Sequence, residues 1–561
     1  MRPTEAGFVT GTNDSATAAY AWLGVPYAKP PVGTLRWMPP VSPDSWDTKI
    51  TQQFGSACPQ TGSFFDAPFA GKSFSLGLRD TFGTSVGSED CLTLNIWRPN
   101  TTQSNLPVLF YIHGGSNRSG WSGQYPGAKL AAEQNVVVVT VNYRMNVFGW
   151  LNHPALKTGD AQGDSGNFGT LDLIQSLKFV KSNIVAFGGD PENITLSGQS
   201  SGGRDAMSLV VSPLAEGLFH KAMIISSGLG GNSPAASQAF ASVLLENLVV
   251  RDGLATNLAE ADAFLATKDN AWIKTYLYGK SAVDLSSMLG KAAAPGMPIP
   301  ASTPPSILYD GVVQPSGTSS TDALAAIANG KFNNVPLLIG VTNEEGKLFS
   351  GAAWNKFNYD MFTTMFNFDP DNPSATPVAL TDLIKPAFLP VTAGPSGTCG
   401  QTGYTTGYNY FANVCGATGP NGVATTTASY WSGEAVLLNT LQPKQSAIYA
   451  YQFSWAQQPE PWNTYFGAAH TGDLPFIFGD FSPGWISFGF STANKPGREA
   501  LGLKMRTAIG SFMRTGNPNN TSLGTTWLPW SSSPGGPKRL VFDADMSSTK
   551  ILMSTAEAAM Q

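Results

Sequence analysis

Residues 198–203 read Gly-Gln-Ser-Ser-Gly-Gly, two adjacent serines between glycines. A serine hydroxyl is an oxygen nucleophile once a neighbouring base removes its proton. The pattern Gly-x-Ser-x-Gly occurs at 83–87 (GTSVG) and at 198–202 (GQSSG). Ser85, in the first, follows no strand-like run and precedes no helical one, which predicts a loop serine. In the second, the alternating run ENITLS leads in and RDAMSLVV can continue as a helix. That is the setting of a nucleophile elbow, a strained strand-to-helix turn whose small flanking residues let strand and helix approach closely. Only one frame fits, because Ser201 would need glycine at 199, where Gln199 stands. The predicted nucleophile is Ser200.

The chain has only four histidines, so elimination can find the base. Around a nucleophile elbow the triad partners follow in the order serine, acid, histidine. His113 and His153 come before Ser200, and His220 follows so soon that an acid-bearing strand hardly fits between. His470, in FGAAHTGDLPFIFG, remains. The acid is expected just after a buried strand, where VPLLIGVTNEEG offers Glu344 and Glu345. Its role is to accept a hydrogen bond from one imidazole nitrogen, fixing the tautomer and stabilising the imidazolium. Acyl transfer also needs backbone N–H groups aimed at the developing oxyanion. The run LFYIHGGSN closes a strand with His113-Gly114-Gly115-Ser116, and the amide of Ser201 would be a second donor. None of this chemistry calls for a metal or an organic cofactor.

These residues need a frame. Short apolar runs recur as PVLFYI (107–112), NVVVVTV (135–141), KAMII (221–225), VPLLIGV (335–341) and AIYAYQF (447–453). They are Val- and Ile-rich and bounded by Gly, Pro and Asn, which predicts strands buried on both faces. Between strands, 171–187 has helical spacing, with Leu171, Ile174, Leu177 and Phe179 on or near one face. Strand, helix, strand predicts an α/β fold with a mostly parallel central sheet flanked by helices. The stretches 235–330 and 345–440 read as large helical or irregular insertions into a single domain spanning 1–561, since no linker separates them.

Hydrophobic residues are 42% and charged residues 13%, so the chain is globular. A net charge of −5 without basic runs gives nucleic acid nothing to bind. No stretch reaches the length of a membrane span. Four widely spaced cysteines form no Cys-x-x-Cys pair, so zinc and thioredoxin-like roles have no support. Sequons at Asn13, Asn100, Asn193, Asn519 and Asn520 are candidate glycosylation sites. With the even cysteines they predict a secreted, extracellular protein, here as a mature chain, since its first residues lack the apolar core of a signal peptide.

At the level of whole blocks the chain resembles the type-B carboxylesterases, the family of cholinesterases and several fungal lipases. The resemblance runs through AWLGVPYAKPPVGTLRWMPP (21–40), SEDCLTLNIWRP (88–99), NYRMNVFGWL (142–151), GNFGTLDL (166–173) and NIVAFGGDPENITLSGQSSGG (183–203), and on to GVTNEEG and GAAHTGDLPFIFG. It implies the α/β-hydrolase fold and hydrolysis of a small-molecule ester by Ser200, His470 and the second glutamate, Glu345. It implies an oxyanion hole from the amides of Gly115, Ser116 and Ser201, with Gly114 shaping the loop. It implies buried ion pairs Arg36–Glu89 and Arg144–Asp172, and a disulfide Cys58–Cys91, leaving Cys399 and Cys415 to pair. Against the usual family pattern, Gln199 replaces Glu, Ser201 replaces Ala, Ser116 replaces a third Gly, and Arg204-Asp205 replace small residues. The 58–91 segment has no tryptophan, which argues against a choline-ester specialist. Its phenylalanines Phe64, Phe65, Phe69 and Phe74 read as packing or, for a long-chain lipase or sterol esterase, as a lid. The expected substrates are small to medium esters.

Overall fold

The Val- and Ile-rich runs fold as strands because β-branched side chains suit an extended backbone, and a continuously apolar run suits burial on both faces. Leu106–Ile112, Val137–Val141, Lys221–Ile225 and Leu337–Thr342 are buried along their whole length, and Ile448–Phe453 nearly so. The computed structural model describes residues 1–62, 81–288, 306–348, 364–379, 426–445, 447–482 and 487–556. The chain forms two compact units, Met1–His220 with Leu229–Asn334, and Lys221–Gly228 with Val335–Gln561.

In the first unit the strand order is Gly189–Gln199, Leu106–Ile112, Val137–Val141, Thr93–Pro99, Ala19–Pro26, Thr12–Asp14. The first three run parallel, and the remaining ladders are antiparallel. The antiparallel members were not predicted, because polar groups interrupt their apolar pattern. Asn95, for example, is buried in Thr93–Pro99 and uses its amide fully: it donates to Ser122 Oγ (2.9 Å) and Thr140 Oγ1 (3.1 Å) and accepts from Gly24 N (2.9 Å).

The predicted helix after residue 170 runs from Phe168 to Asn183 and is buried on most sides rather than on one face. Its polar members are therefore paired inside. Asp172 takes two side-chain bonds from Arg144, each 2.7 Å, and the Arg144 backbone amide at 3.0 Å. Thr170 accepts from Trp150 Nε1 at 3.2 Å. Arg36 grips Glu89 with two bonds (2.6 and 2.5 Å) and donates to Lys280 O (2.7 Å). The region predicted as an insertion supplies helices Pro234–Arg251, Asn270–Tyr278 and Ala282–Ser287, which pack with Trp37, Val147, Phe148 and Phe168 in one apolar cluster. Cys58 and Cys91 are disulfide-bonded with Cα atoms 5.1 Å apart. Ser85 lies in a two-residue strand paired with Gln60–Thr61, not in a loop; so short a strand carries no periodicity to read. Phe64, Phe65, Phe69, Phe74, Cys399 and Cys415 lie outside the described residues.

In the second unit Lys221–Ile225, Leu337–Thr342, Ile448–Phe453 and Arg539–Ala544 are successive parallel strands, and Thr549–Ser554 adds an antiparallel edge. Buried Arg539 donates to Glu434 Oε2 from Nη2 (2.6 Å) and Nε (3.1 Å). Among the described residues no helix is long and apolar enough to cross a membrane.

Breaking one partner of a buried pair strands the other charge without solvent. Arg144 is 2% exposed. Asp172→Ala is therefore expected to lower unfolding free energy by about 3–5 kcal/mol in urea titration. A loss under about 1 kcal/mol would show that water reaches the freed guanidinium.

Candidate active site

In the first unit, Ser200 joins the end of the Gly189–Gln199 strand to the start of the Ser201–Val211 helix. Its backbone sits at φ 57°, ψ −126°, a conformation that costs a non-glycine residue about 1–3 kcal/mol. The surrounding contacts hold it there. Gly198 pairs with Ile112 on the neighbouring strand. A methyl group on Gly198 would lie 2.1 Å from Gly202 O, and one on Gly202 would lie 2.2 Å from Ile112 O. Glycine at both positions lets the helix start directly against two strands. Ser200 keeps part of its surface exposed while Gln199 and Ser201 are buried.

The loop after Leu106–Ile112 lies against this turn. A methyl group on Gly114 would come 2.7 Å from Gln199 O and 3.0 Å from Ser200 Cβ. Gly115 (φ 113°), Ser116 (φ 61°) and Asn117 (φ 54°) are three consecutive positive-φ residues. Gly115 O accepts from Arg118 N and Ser119 N, both 3.1 Å. Among the described residues no acceptor takes the N–H of Gly115 or Ser116. Ser201 is the first helical residue, so its N–H has no partner within the helix. The loop of Gly114, Gly115 and Ser116 thus packs against the Ser200 turn through Gly114, and Ser201 follows Ser200 directly at the start of the helix.

The other three early histidines have structural places. His113 stacks on Tyr143 (4.6 Å) and donates from Nδ1 to Gly114 O (2.9 Å); burial pushes its pKa down to about 4, so it is neutral at pH 7. His153 accepts from Ala155 N at 3.0 Å, and His220 accepts from Ile194 N at 3.1 Å. Asn117 was missed by the sequence reading. Its backbone N–H donates to Ser201 Oγ (3.0 Å) and its side chain to Asp205 Oδ1 (2.9 Å), so it joins two of the departures from the family pattern.

In the second unit, Glu345 follows the Leu337–Thr342 strand and is fully buried. Its Oε1 accepts from Thr342 N at 2.8 Å, and its Oε2 bonds His470 Nδ1. Glu344, the other candidate, faces elsewhere: it pairs with Lys347 (2.7 Å) and accepts from Ala468 N (2.9 Å). Glu344 N also donates to Ala468 O at 3.0 Å, so Glu344 fastens the histidine loop while Glu345 contacts the ring. Beside His470 lies a small cavity of about 20 Å³ whose walls include Trp455, Phe466, Phe488 and Phe490.

Of the five sequons, Asn13 and Asn100 are exposed. Asn519 uses its side chain internally, donating to Trp527 O (2.9 Å) and accepting from Trp527 N (2.8 Å). Asn520 caps a short turn by accepting from Ser522 N at 2.9 Å, and Asn193 is partly exposed at the start of the elbow strand.

Asp473, three residues beyond His470, is buried and accepts from Tyr451 OH at 2.7 Å, but its Oδ1 has no donor. Burial pushes its pKa up to about 6, with the Tyr451 bond partly opposing. The folded state then holds this proton more tightly than the unfolded chain, so stability is present below about pH 4 and lost as pH rises toward 6. Asp473→Asn removes that slope. The melting temperature of the variant relative to the parent is expected to climb between pH 4 and 6 and then level off. A fall over the same range in scanning fluorimetry would mean the hydrogen bond outweighs burial.

Comparison with known proteins supplies the family. The carboxylesterase family model matches residues 1–382. The chain is 29% identical to para-nitrobenzyl esterase of Bacillus subtilis over 93% of its length and 91% of that protein's. It is 30% identical to human cocaine esterase, covering 93% of this chain and 85% of that one. Among solved structures, a carboxylesterase of Geobacillus stearothermophilus superposes with a TM-score of 0.68 at 26% identity, covering 98% of this chain and 97% of the other. The expected α/β-hydrolase fold, with its large, mostly parallel sheet and flanking helices, is thereby established. The chain belongs to the carboxylesterase family, enzymes that hydrolyse carboxylic esters.

Proposed function

We propose that this enzyme is a secreted serine esterase acting on small to medium esters, and that the chain works as one hydrolase domain with Ser200, His470 and Glu345 as its triad. The observation that carries the reading is the backbone of Ser200, a non-glycine residue at φ 57°, ψ −126° between strand and helix. Strain of this kind persists where the surroundings over-determine it, and it lifts a serine hydroxyl out of the sheet toward a substrate.

In the proposed cycle His470 takes the Ser200 proton as Oγ attacks the ester carbonyl. The carbonyl π pair moves onto oxygen, and the amides of Gly115, Ser116 and Ser201 bind that oxyanion. Collapse of the intermediate breaks the ester C–O bond, and His470 returns the proton to the leaving alcohol. Water, deprotonated by His470, then attacks the acyl-serine and releases the acid. Glu345 holds the imidazole through Nδ1, which orients Nε2 for both transfers and balances the charge of the imidazolium. The Cys58–Cys91 disulfide supports an oxidising compartment, and the exposed Asn13 and Asn100 are the sequons best placed to carry glycans.

Ser200→Ala is expected to cut kcat by roughly four to six orders of magnitude with an unchanged melting temperature, and an organophosphate should label the parent but not the variant. Near-normal turnover in the variant would sink the mechanism. Across p-nitrophenyl esters from acetate to palmitate, rates should peak at short to medium chains. Rates rising toward palmitate would replace the small-ester reading with a lipase.

A further inference from the structure

Two of the residues that depart from the family pattern around the elbow, Ser201 and Asp205, meet at Asn117. Asn117, buried in the loop after His113, sends its side-chain N–H to Asp205 and its backbone N–H to the Ser201 hydroxyl. Its carbonyl accepts from Asn146 N at 2.7 Å. Ser201 and Asp205 are four residues apart on the elbow helix, hence on one face. We infer that Asp205 is a positioning residue of the esterase: through Asn117 it clamps the loop that aims the Gly115 and Ser116 amides at the oxyanion. The inference rests on the esterase reading above.

The loop needs such a clamp. Ser116 and Asn117 are consecutive non-glycine residues in the left-handed region, where a side chain is disfavoured and glycine would settle freely. Without an outside tie these two residues would relax, and the preceding amides would swing with them. The Asp205 and Ser201 bonds refer the loop to the same helix whose first N–H is the third proposed donor. All three donors then share one rigid reference, which is what preorganisation of an oxyanion hole requires.

The surroundings of Asp205 fit a dedicated acceptor rather than an ion pair. It is 1% exposed, and its Oδ2 has no donor. The Tyr143 phenol lies close by, but its proton goes to His113 O at 2.8 Å. The Asn117 bond and the charge of Arg204, next in sequence, oppose the effect of burial, and His113 behind Tyr143 is neutral. Burial dominates and pushes the carboxyl up to about 7. Oδ1 accepts from Asn117 in either protonation state, so an asparagine at 205 can preserve the contact.

The test compares the parent with Asp205→Ala, Asp205→Asn and Asn117→Gly. The glycine variant removes the clamp while easing the left-handed backbone, and it carries the test if Asp205→Ala does not fold. On p-nitrophenyl butyrate, Asp205→Ala and Asn117→Gly are expected to lower kcat by roughly 10- to 100-fold with KM nearly unchanged. Affinity for a trifluoromethyl ketone, which forms a tetrahedral oxyanion adduct, should fall by the same factor. Asp205→Asn should recover most of both. Amide exchange over 113–118 should accelerate in Asp205→Ala alone of the two Asp205 variants. A parent labelled at Ser200 whose Asn117→Gly variant keeps kcat and inhibitor affinity would overturn this inference and leave the esterase reading intact. An inactive parent that no organophosphate labels would overturn both.

Discussion

The first unit depends on how closely backbone can approach backbone around Ser200. The elbow helix begins with Gly202 against the carbonyls of Ile112 and His113, at a distance that excludes any side chain. Gly198 and Gly114 meet the same limit from the strand and from the loop. Strand end, helix start and loop are thus fixed by contacts between main chains, which have few ways to yield. Ser200, a non-glycine residue in this knot, carries the strain of the turn.

Burial of polar groups elsewhere follows from the same closeness. With the Phe168–Asn183 helix covered on most sides and the central strands covered on both faces, charged side chains inside must be paired and hydrogen-bonded. Arg144–Asp172 and Arg36–Glu89 do this in the first unit, and Arg539–Glu434 in the second. Each arginine fork fixes a direction as well as a distance, so these pairs orient loops that apolar contact would leave free to slide. Arg36, for example, reaches Glu89 and the Lys280 carbonyl together, tying three distant parts of the chain.

In the second unit, hydrogen bonding fixes the direction of a buried acid. Glu345 is sealed from water and spends one oxygen on Thr342 N, which leaves the other aimed at the His470 ring. Glu344 makes the opposite choice, facing Lys347 and the backbone of the histidine loop. Adjacent glutamates alternate direction at the end of a strand, so one can build the loop and its neighbour can act on the ring.

Much of this was legible in the sequence. Periodicity alone placed the buried strands within a residue or two, since a continuous run of Val and Ile has few other uses. The elbow serine followed from glycine spacing and its strand–helix setting, and His470 from the scarcity of histidine. Local sequence could not choose between Glu344 and Glu345, because direction at a strand end depends on what lies across from it; the family resemblance pointed to Glu345, and in the folded chain it is Glu345 that contacts the His470 ring. Nor could sequence show Asn117, a common loop residue whose partners lie 84 and 88 positions away. The N-terminal antiparallel strands escaped notice for the same reason, as Asn95 looks polar until its three partners are seen. What the sequence by itself determined was the residue types that chemistry and short-range sterics demand. Which polar group faces which partner was decided only in the folded chain, because a buried hydrogen bond is set by distance in space, to which separation along the sequence is no guide.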